Sequence, residues 1–159
     1  MAIVYGDPLK DWYFNNVSEW TLDYPPYFAY FEYVIAIIAK KCISTFPNSF
    51  DAEMLKIEEH HLATLYTTYF MRSSVIISDF CLIAGVWYYL HVRKHDAFVS
   101  LTVTGLIVFN SGLLLVDHIH FQYNGMLLGL LIACCACSYN NHYIVMTVIF
   151  SILVLLKRK

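Results

Sequence analysis

Six polar side chains lie in one short stretch of an otherwise apolar part of the sequence. They are Asp117, His118, His120, Gln122, Tyr123 and Asn124. The apolar run before them ends at Val116, so the stretch emerges at the lipid edge, where ionisable groups must line a hydrated cavity or pair with each other. Imidazole rings can bind phosphate oxygens, and amide side chains suit sugar hydroxyls. The stretch therefore has the chemistry to bind a lipid phosphate together with a sugar.

Two other interpretations of this stretch remain open at the level of sequence. One is a polar turn between two helices that extends into the lipid head groups. The other is a zinc site built from Asp117, His118 and His120, although no further ligands appear at the usual spacing. The residue types alone are compatible with all three interpretations.

A second group of polar residues precedes the consecutive prolines Pro25 and Pro26. Consecutive prolines hold the chain extended, so the carboxylate of Asp23 is held in a fixed direction. A carboxylate can act as a general base toward a sugar hydroxyl. The alternative is that Asp23 caps a turn at the prolines.

Two charged residues interrupt the first long apolar run. Arg72 lies near its start, where the guanidinium either extends to the head groups or binds a lipid phosphate through paired hydrogen bonds. Asp79 lies about two helical turns deeper. We expect Asp79 to make a polar contact between helices.

The composition is that of a membrane protein. Hydrophobic residues make up 59% of the 159 residues and charged residues only 14%, whereas a soluble domain carries about 25% charged residues. Aromatic residues reach 17%, which is typical of chains with many side chains at the membrane–water interface. The net charge of −2 does not favour a nucleic acid as a partner.

Four apolar runs predict a polytopic helix bundle. They cover residues 69–90, 98–116, 126–138 and 143–156. The first two have the roughly 20 residues that a spanning helix needs, and the other two are at the lower limit. Residues 27–46 predict a further helix after the prolines, and its charged residues favour a position along the membrane surface over a span.

The loop at residues 91–95 holds the only basic cluster between the predicted spans, so the positive-inside rule predicts that it is cytosolic. Residues 1–65 would then form a luminal loop with an interfacial helix, and residues 66–159 a membrane domain with about four spans. The sequon Asn16-Val17-Ser18 agrees weakly with this orientation. Residues 1–7 show no signal peptide, and we therefore expect the chain to be incomplete.

The cysteines do not predict a disulfide framework. Cys134, Cys135 and Cys137 lie inside an apolar run and are interpreted as small buried side chains. Palmitoylation near a cytosolic helix end is the alternative.

The order of several motifs resembles the dolichyl-phosphoglucose-dependent α-1,3-glucosyltransferases of the endoplasmic reticulum. The block Asp-His-Ile-His-Phe-Gln-Tyr-Asn-Gly and the segment Leu-Asp-Tyr-Pro-Pro are its most specific elements. The sequence around Asp23, and Ile119 within the block, look more like the branch that adds the second glucose. The matching segments are residues 12–14, 18–26, 31–32, 71–76, 78–79 and 117–125.

The resemblance implies an all-α, multi-span glycosyltransferase of the GT-C type, of which this chain is the N-terminal part. It implies a luminal site, no cofactor and no metal. Glucose would move from dolichyl phosphate glucose to the glucose of a monoglucosylated oligosaccharide on dolichyl diphosphate. Because the donor is a β-phosphoglucose and the product linkage is α, the reaction inverts, which requires a base and a site for the departing phosphate.

Family members place their presumed base in the motif Asp-Phe-Glu, followed by His-Arg-Asn-Trp. Here Gly6-Asp7 is followed directly by Pro8, so Asp7 is the candidate for the retained base while the supporting residues are missing. We assign Asp23 and Tyr24 to the acceptor side and Arg72, His118 and His120 to the lipid phosphate. The hypothesis from another class is a non-catalytic membrane protein that binds dolichyl lipids or associates with other subunits.

Overall fold

The computed structural model describes residues 1–15, 17, 22–46, 51–57 and 64–157. Within these ranges the regular structure is helical and no strand occurs, which confirms the all-α prediction. The chain divides into two compact units, Met1–Met71 with Leu155–Lys159 and Arg72–Val154. The boundary falls inside a long helix.

The first unit begins with two short helical turns and then a long helix. The helices are α1 (Ala2–Gly6), a 3₁₀ turn (Leu9–Asp11), α2 (Pro26–Thr45) and a second 3₁₀ turn (Ala52–Leu55). Pro25 is the N-cap of α2 and Pro26 its first residue, a position where the missing N–H of proline carries no penalty. The predicted helix after the prolines is therefore confirmed.

Trp12 is the centre of the first unit. Its side chain is buried with Val4 and Ala29, and Leu22 packs against this cluster. The indole contacts the ring of Tyr30 on α2 edge to face, with centroids 5.6 Å apart. Aromatic pairs in this geometry add stability beyond the area they bury. The Trp12 cluster thus connects the N-terminal turns and the segment before the prolines to α2.

The second unit contains most of the apolar runs. Its helices are the greater part of α3 (Leu65–Val92), α4 (Ala97–Val108), α5 (Ser111–Leu113), a π-helical turn (Leu114–Ile119) and α6 (Asn124–Tyr139), together with most of α7 (Tyr143–Leu156). In the described part of the chain, α3 and the segment Ala97–Ile119 are long and apolar enough to cross a membrane. The helices α6 and α7 are shorter, with 16 and 14 residues.

The uniform apolar pattern of residues 98–116 suggested one regular helix, but the structure does not form one there. The run breaks after Val108, and the side chain of Asn110 accepts a hydrogen bond from the Gly112 N–H at 2.9 Å to start α5. An asparagine that bonds to the backbone in this way competes with helix continuation. The chain then continues as the π-helical turn that carries Asp117 and His118.

Two glycines bring α3 and α6 together. A Cβ at Gly129 would lie 2.5 Å from the Cys81 carbonyl oxygen, and a Cβ at Gly85 would lie 2.2 Å from the Gly129 carbonyl oxygen. Only a residue without a side chain permits this backbone approach. Next to this contact lie Leu82, Val86 and Leu90 of α3, which form the buried core of the unit.

Candidate functional site

The π-helical turn places a carboxylate where water barely reaches it. Asp117 is 1% exposed. Its Oδ2 accepts a hydrogen bond from the Gly125 N–H at 2.6 Å, and its Oδ1 accepts one from Asn124 Nδ2 at 2.8 Å. The carboxylate thus satisfies the Gly125 N–H at the start of α6, where the helix dipole also favours a negative charge. Asp117 therefore holds the polar block against α6.

His118 points to a different helix. Its Nε2 lies 2.9 Å from Oδ2 of Asp79 on α3, and the two side chains are 25% and 16% exposed. The pair confirms the expected polar contact of Asp79 between helices. Gly125 makes room for it, since a Cβ there would lie 2.8 Å from Oδ1 of Asp79 and 3.3 Å from Oδ2 of Asp117.

The remaining residues of the block bond to one another or to α3. The Tyr123 and Ser74 hydroxyls are 2.8 Å apart, and Tyr123 is buried. Gln122 Oε1 accepts a hydrogen bond from Asn124 Nδ2 at 2.9 Å. The structure thus gives five of the six predicted residues of the block polar contacts with one another or with α3. We name these contacts, made by Asp117, His118, Gln122, Tyr123 and Asn124 with Asp79, Ser74 and Gly125, the Asp79–Asp117 network.

His120 and Arg72 occupy exposed positions in the same unit. His120 ends the π-helical turn, and the next residue, Phe121, has a positive φ of 54° that turns the chain toward α6. Arg72 lies on α3, on the stretch that also carries Ser74 and Asp79. Exposure leaves both side chains available to a lipid head group, and their assignment to phosphate stays a prediction.

The candidate base Asp7 belongs to the first unit. Its backbone carbonyl accepts a hydrogen bond from Trp12 Nε1 at 3.0 Å, and its Oδ2 accepts one from Asn15 Nδ2 at 2.5 Å. Trp12 therefore holds the backbone of Asp7, and Asn15 holds its side chain. Charge-assisted bonds of this kind orient a carboxylate.

Asp23 and Tyr24 are exposed in the same unit. The Tyr13 hydroxyl donates a hydrogen bond to the Tyr24 carbonyl oxygen at 2.9 Å. Partial burial, and then the neighbouring Tyr30, raise the pKa of Tyr13, so its phenol keeps the proton that it donates here. Residues 22–24 and Asp7 are thus both anchored around Trp12, whereas residues 16 and 18–21, including the sequon asparagine, lie outside the described residues.

Within the described ranges, no group of three or more His, Cys, Asp or Glu side chains is arranged to hold a metal ion. Asp117 and His118 bond to different helices, so the described geometry does not support the zinc interpretation of Asp117, His118 and His120. Cys134 and Cys137 are buried as predicted, whereas the prediction was wrong for Cys135, which is exposed.

Three residues of the network were missed or only partly recognised in the sequence. Asp79 carried a signal, since an ionisable residue within an apolar run is a functional candidate by default. Gly125 closed the polar block without an assigned role, and Ser74 had no distinguishing signal. Their roles come from contacts between helices, which the local pattern does not specify.

Comparison with known proteins agrees with the resemblance. Residues 1–158 match the model of the "ALG6, ALG8 glycosyltransferase family". A Debaryomyces hansenii protein named "Dolichyl pyrophosphate Glc1Man9GlcNAc2 alpha-1,3-glucosyltransferase" is 41% identical over 99% of this chain and 27% of its own length. Proteins of the same name from Arabidopsis thaliana and Mus musculus are 42% and 37% identical, over 83% and 99% of this chain and 24% and 30% of their own lengths.

The chain thus spans about a quarter of the length of the curated relatives it matches. The match nevertheless covers both units, from α1 through α7. On this basis the chain belongs to the ALG6, ALG8 glycosyltransferase family of multi-span glycosyltransferases.

Proposed function

We propose that this chain contributes to the transfer of glucose from dolichyl phosphate glucose to a monoglucosylated, dolichyl-diphosphate-linked oligosaccharide, with formation of an α-1,3 linkage. The observation that carries the proposal is the Asp79–Asp117 network, which orders the polar block next to two helices suited to a membrane. A polar site at that position suits a substrate whose phosphate lies at the head groups and whose chain lies in lipid.

In the proposed reaction the bond between glucose C1 and the phosphate oxygen breaks as a bond forms to the 3-hydroxyl oxygen of the acceptor glucose. The hydroxyl proton passes to a carboxylate, for which Asp7 is the first candidate and Asp23 the second. The departing dolichyl phosphate keeps the electron pair and is bound by His118, His120 and Arg72. The aromatic ring of Tyr24 lies on the acceptor side of the proposed site. The polar surface is formed by Asp117 together with Gln122, Tyr123 and Asn124.

The proposed location is the membrane of the endoplasmic reticulum, with several spans. The loop between α3 and α4 would face the cytosol, and residues 1–65 and the polar block would face the lumen. The two apolar segments that can cross a membrane support this arrangement. Residues 66–159 would then be the membrane domain.

The test is complementation of cells that lack the enzyme for the second glucose. We expect the expressed chain to extend the monoglucosylated lipid-linked oligosaccharide, and we expect Asp7→Asn or His118→Gln to lower extension at least tenfold at equal expression. Asp11→Asn is the control, because it removes a nearby carboxylate outside the proposed machinery. Unextended oligosaccharide with a well-expressed chain would reject catalysis.

A binding assay separates catalysis from the non-catalytic alternative. The purified chain is titrated with citronellyl phosphate, a short isoprenyl phosphate, in lipid nanodiscs. Binding without extension in cells would indicate a dolichyl-lipid-binding protein. Absence of both would contradict the proposed function in either form.

A further inference from the structure

Asp79 contacts the polar block from a helix that is distant in sequence, and its only described ion pair is with His118. A carboxylate and an imidazole that are both mostly removed from water stabilise each other only in good hydrogen-bond geometry. The distance of 2.9 Å between Asp79 Oδ2 and His118 Nε2 meets that condition. The pair is therefore a defined arrangement of two groups and not a loose surface contact.

The pairing decides which nitrogen of the ring carries a proton. An ionised carboxylate can only accept, so Nε2 of His118 must be the N–H that donates to Asp79. Nδ1 is then the nitrogen left for another group: in the neutral ring it accepts a hydrogen bond from a protonated phosphate oxygen, and it donates one only when the ring takes up a second proton. In Ser-His-Asp triads the aspartate fixes the tautomer and orientation of the histidine in the same way, and it also stabilises the positive charge that the ring acquires.

The second carboxylate of the network does not compete for the ring. Asp117 already accepts from Asn124 Nδ2 and from the Gly125 N–H. Among the residues that the structure describes, Asp79 on α3 is the charged group that bonds to His118. Gly125 keeps α6 close without displacing either carboxylate.

We infer that Asp79 is a positioning residue that fixes His118 with Nε2 protonated and Nδ1 directed to the phosphate of an isoprenyl phosphate. The inference rests on the proposed function for the identity of the ligand. Asp79 itself does not touch the ligand. Its effect on phosphate binding passes through His118 alone.

The first measurement compares the His118 ring in the wild-type chain and in Asp79→Asn. The ¹⁵N NMR signals of labelled histidine in the full chain, in lipid nanodiscs, report which ring nitrogen of His118 is protonated; His118→Gln identifies the signal. We expect a protonated Nε2 in the wild-type chain and a mixture of tautomers in Asp79→Asn, since an asparagine amide can donate as well as accept. A wild-type ring protonated only on Nδ1 would overturn the inference.

The second measurement is the affinity for citronellyl phosphate in a double-mutant cycle. We expect Asp79→Asn to weaken binding about tenfold in the wild-type background and to have no further effect in the His118→Gln background. Ser78→Ala is the matched control, because Ser78 lies on the same helix and, among the described residues, its hydroxyl bonds to the Val75 carbonyl oxygen alone. Helical content by circular dichroism confirms that the variants are folded.

The outcomes of these measurements distinguish the positioning role of Asp79 from the identity of the proposed ligand. Equal losses in both backgrounds, or no loss from Asp79→Asn, would overturn the positioning role even if the chain binds the probe. If the wild-type chain does not bind the probe but the His118 tautomer still depends on Asp79, the isoprenyl phosphate is wrong as the ligand. The role of Asp79 in fixing the His118 ring is then retained. A merely structural Asp79 would change stability without changing the tautomer.

Discussion

Asp117 is a buried carboxylate whose two oxygens each have a donor. Removing such a group leaves the donors without a partner, and this cost is larger than the mean value of a hydrogen bond. The same carboxylate satisfies an N–H at the beginning of α6, so its effect extends to the first turn of that helix. At the scale of single residues, Asp117 is therefore the structural centre of the network, while His118 is the group that can interact with a ligand.

We expect Asp117→Ala to lower the free energy of unfolding by about 3 kcal/mol, because the Gly125 N–H and the Asn124 amide lose their acceptor in a buried site. Thermal unfolding in detergent measures the loss. Asp96→Ala is the control: Asp96 caps α4 through a 2.8 Å bond from the Val99 N–H but is exposed, so about 1 kcal/mol is expected. Equal losses in the two variants would contradict the role of burial.

The buried Tyr123 hydroxyl provides a second test at this scale. We expect Tyr123→Phe to cost about 1 kcal/mol of stability, since it removes the bond to Ser74 and keeps the packed ring. Ser74→Ala removes the same bond from the α3 side. If the two changes are additive in the double variant, the hydroxyls do not act as a pair.

At the scale of the elements, the close contact between α3 and α6 depends on glycine. Gly129→Ala would place a methyl carbon 2.5 Å from the Cys81 carbonyl oxygen and 2.7 Å from the Leu82 Cα. Both atoms belong to backbone, so the helices must move apart. We expect a loss of about 1–3 kcal/mol of stability in thermal unfolding, which is typical of an overpacked core.

Gly105→Ala is the matched control for the helix contact. Gly105 also lies inside a helix, but a Cβ there meets no atom within 4 Å. Alanine favours the helix by up to about 1 kcal/mol over glycine, so this variant should be as stable as the wild-type chain or more stable. A similar loss in both glycine variants would show that the α3–α6 approach is not the cause.

The helices also show how far the apolar pattern of the sequence predicts the secondary structure. The run at residues 69–90 predicted α3, which extends from Leu65 to Val92, because a uniform apolar run of that length has few alternatives to a helix. The run at residues 98–116 looked similar but breaks at Asn110 and continues as a π-helical turn. The π-helical turn carries Asp117 and His118, which bond to two different helices. The apolar pattern of the sequence does not specify these bonds.

At the scale of the whole molecule, the first unit surrounds Trp12 and the second contains the Asp79–Asp117 network. The proposed base Asp7 and the proposed phosphate ligand His118 thus belong to different units. Each unit has its own packed centre.

Orientation in the membrane is also a property of the whole molecule. If residues 1–65 face the lumen, as proposed, Asn16 is accessible to oligosaccharyltransferase, and the expressed chain should shift in mobility on endoglycosidase H treatment. Asn16→Gln should abolish the shift. A chain without any glycan, in which the loop at residues 91–95 is instead protected from cytosolic protease, would reverse the proposed orientation.

The sequence by itself determined the helical membrane character and the family. The first follows from composition and from the length of the apolar runs, and the second from a long and specific polar block. Tertiary structure decided the partners within that block: Asp117 with Gly125, His118 with Asp79, and Tyr123 with Ser74. The reason is physical, because contacts between helices depend on how closely their backbones approach, and here that distance is set by Gly85 and Gly129 on two separate helices.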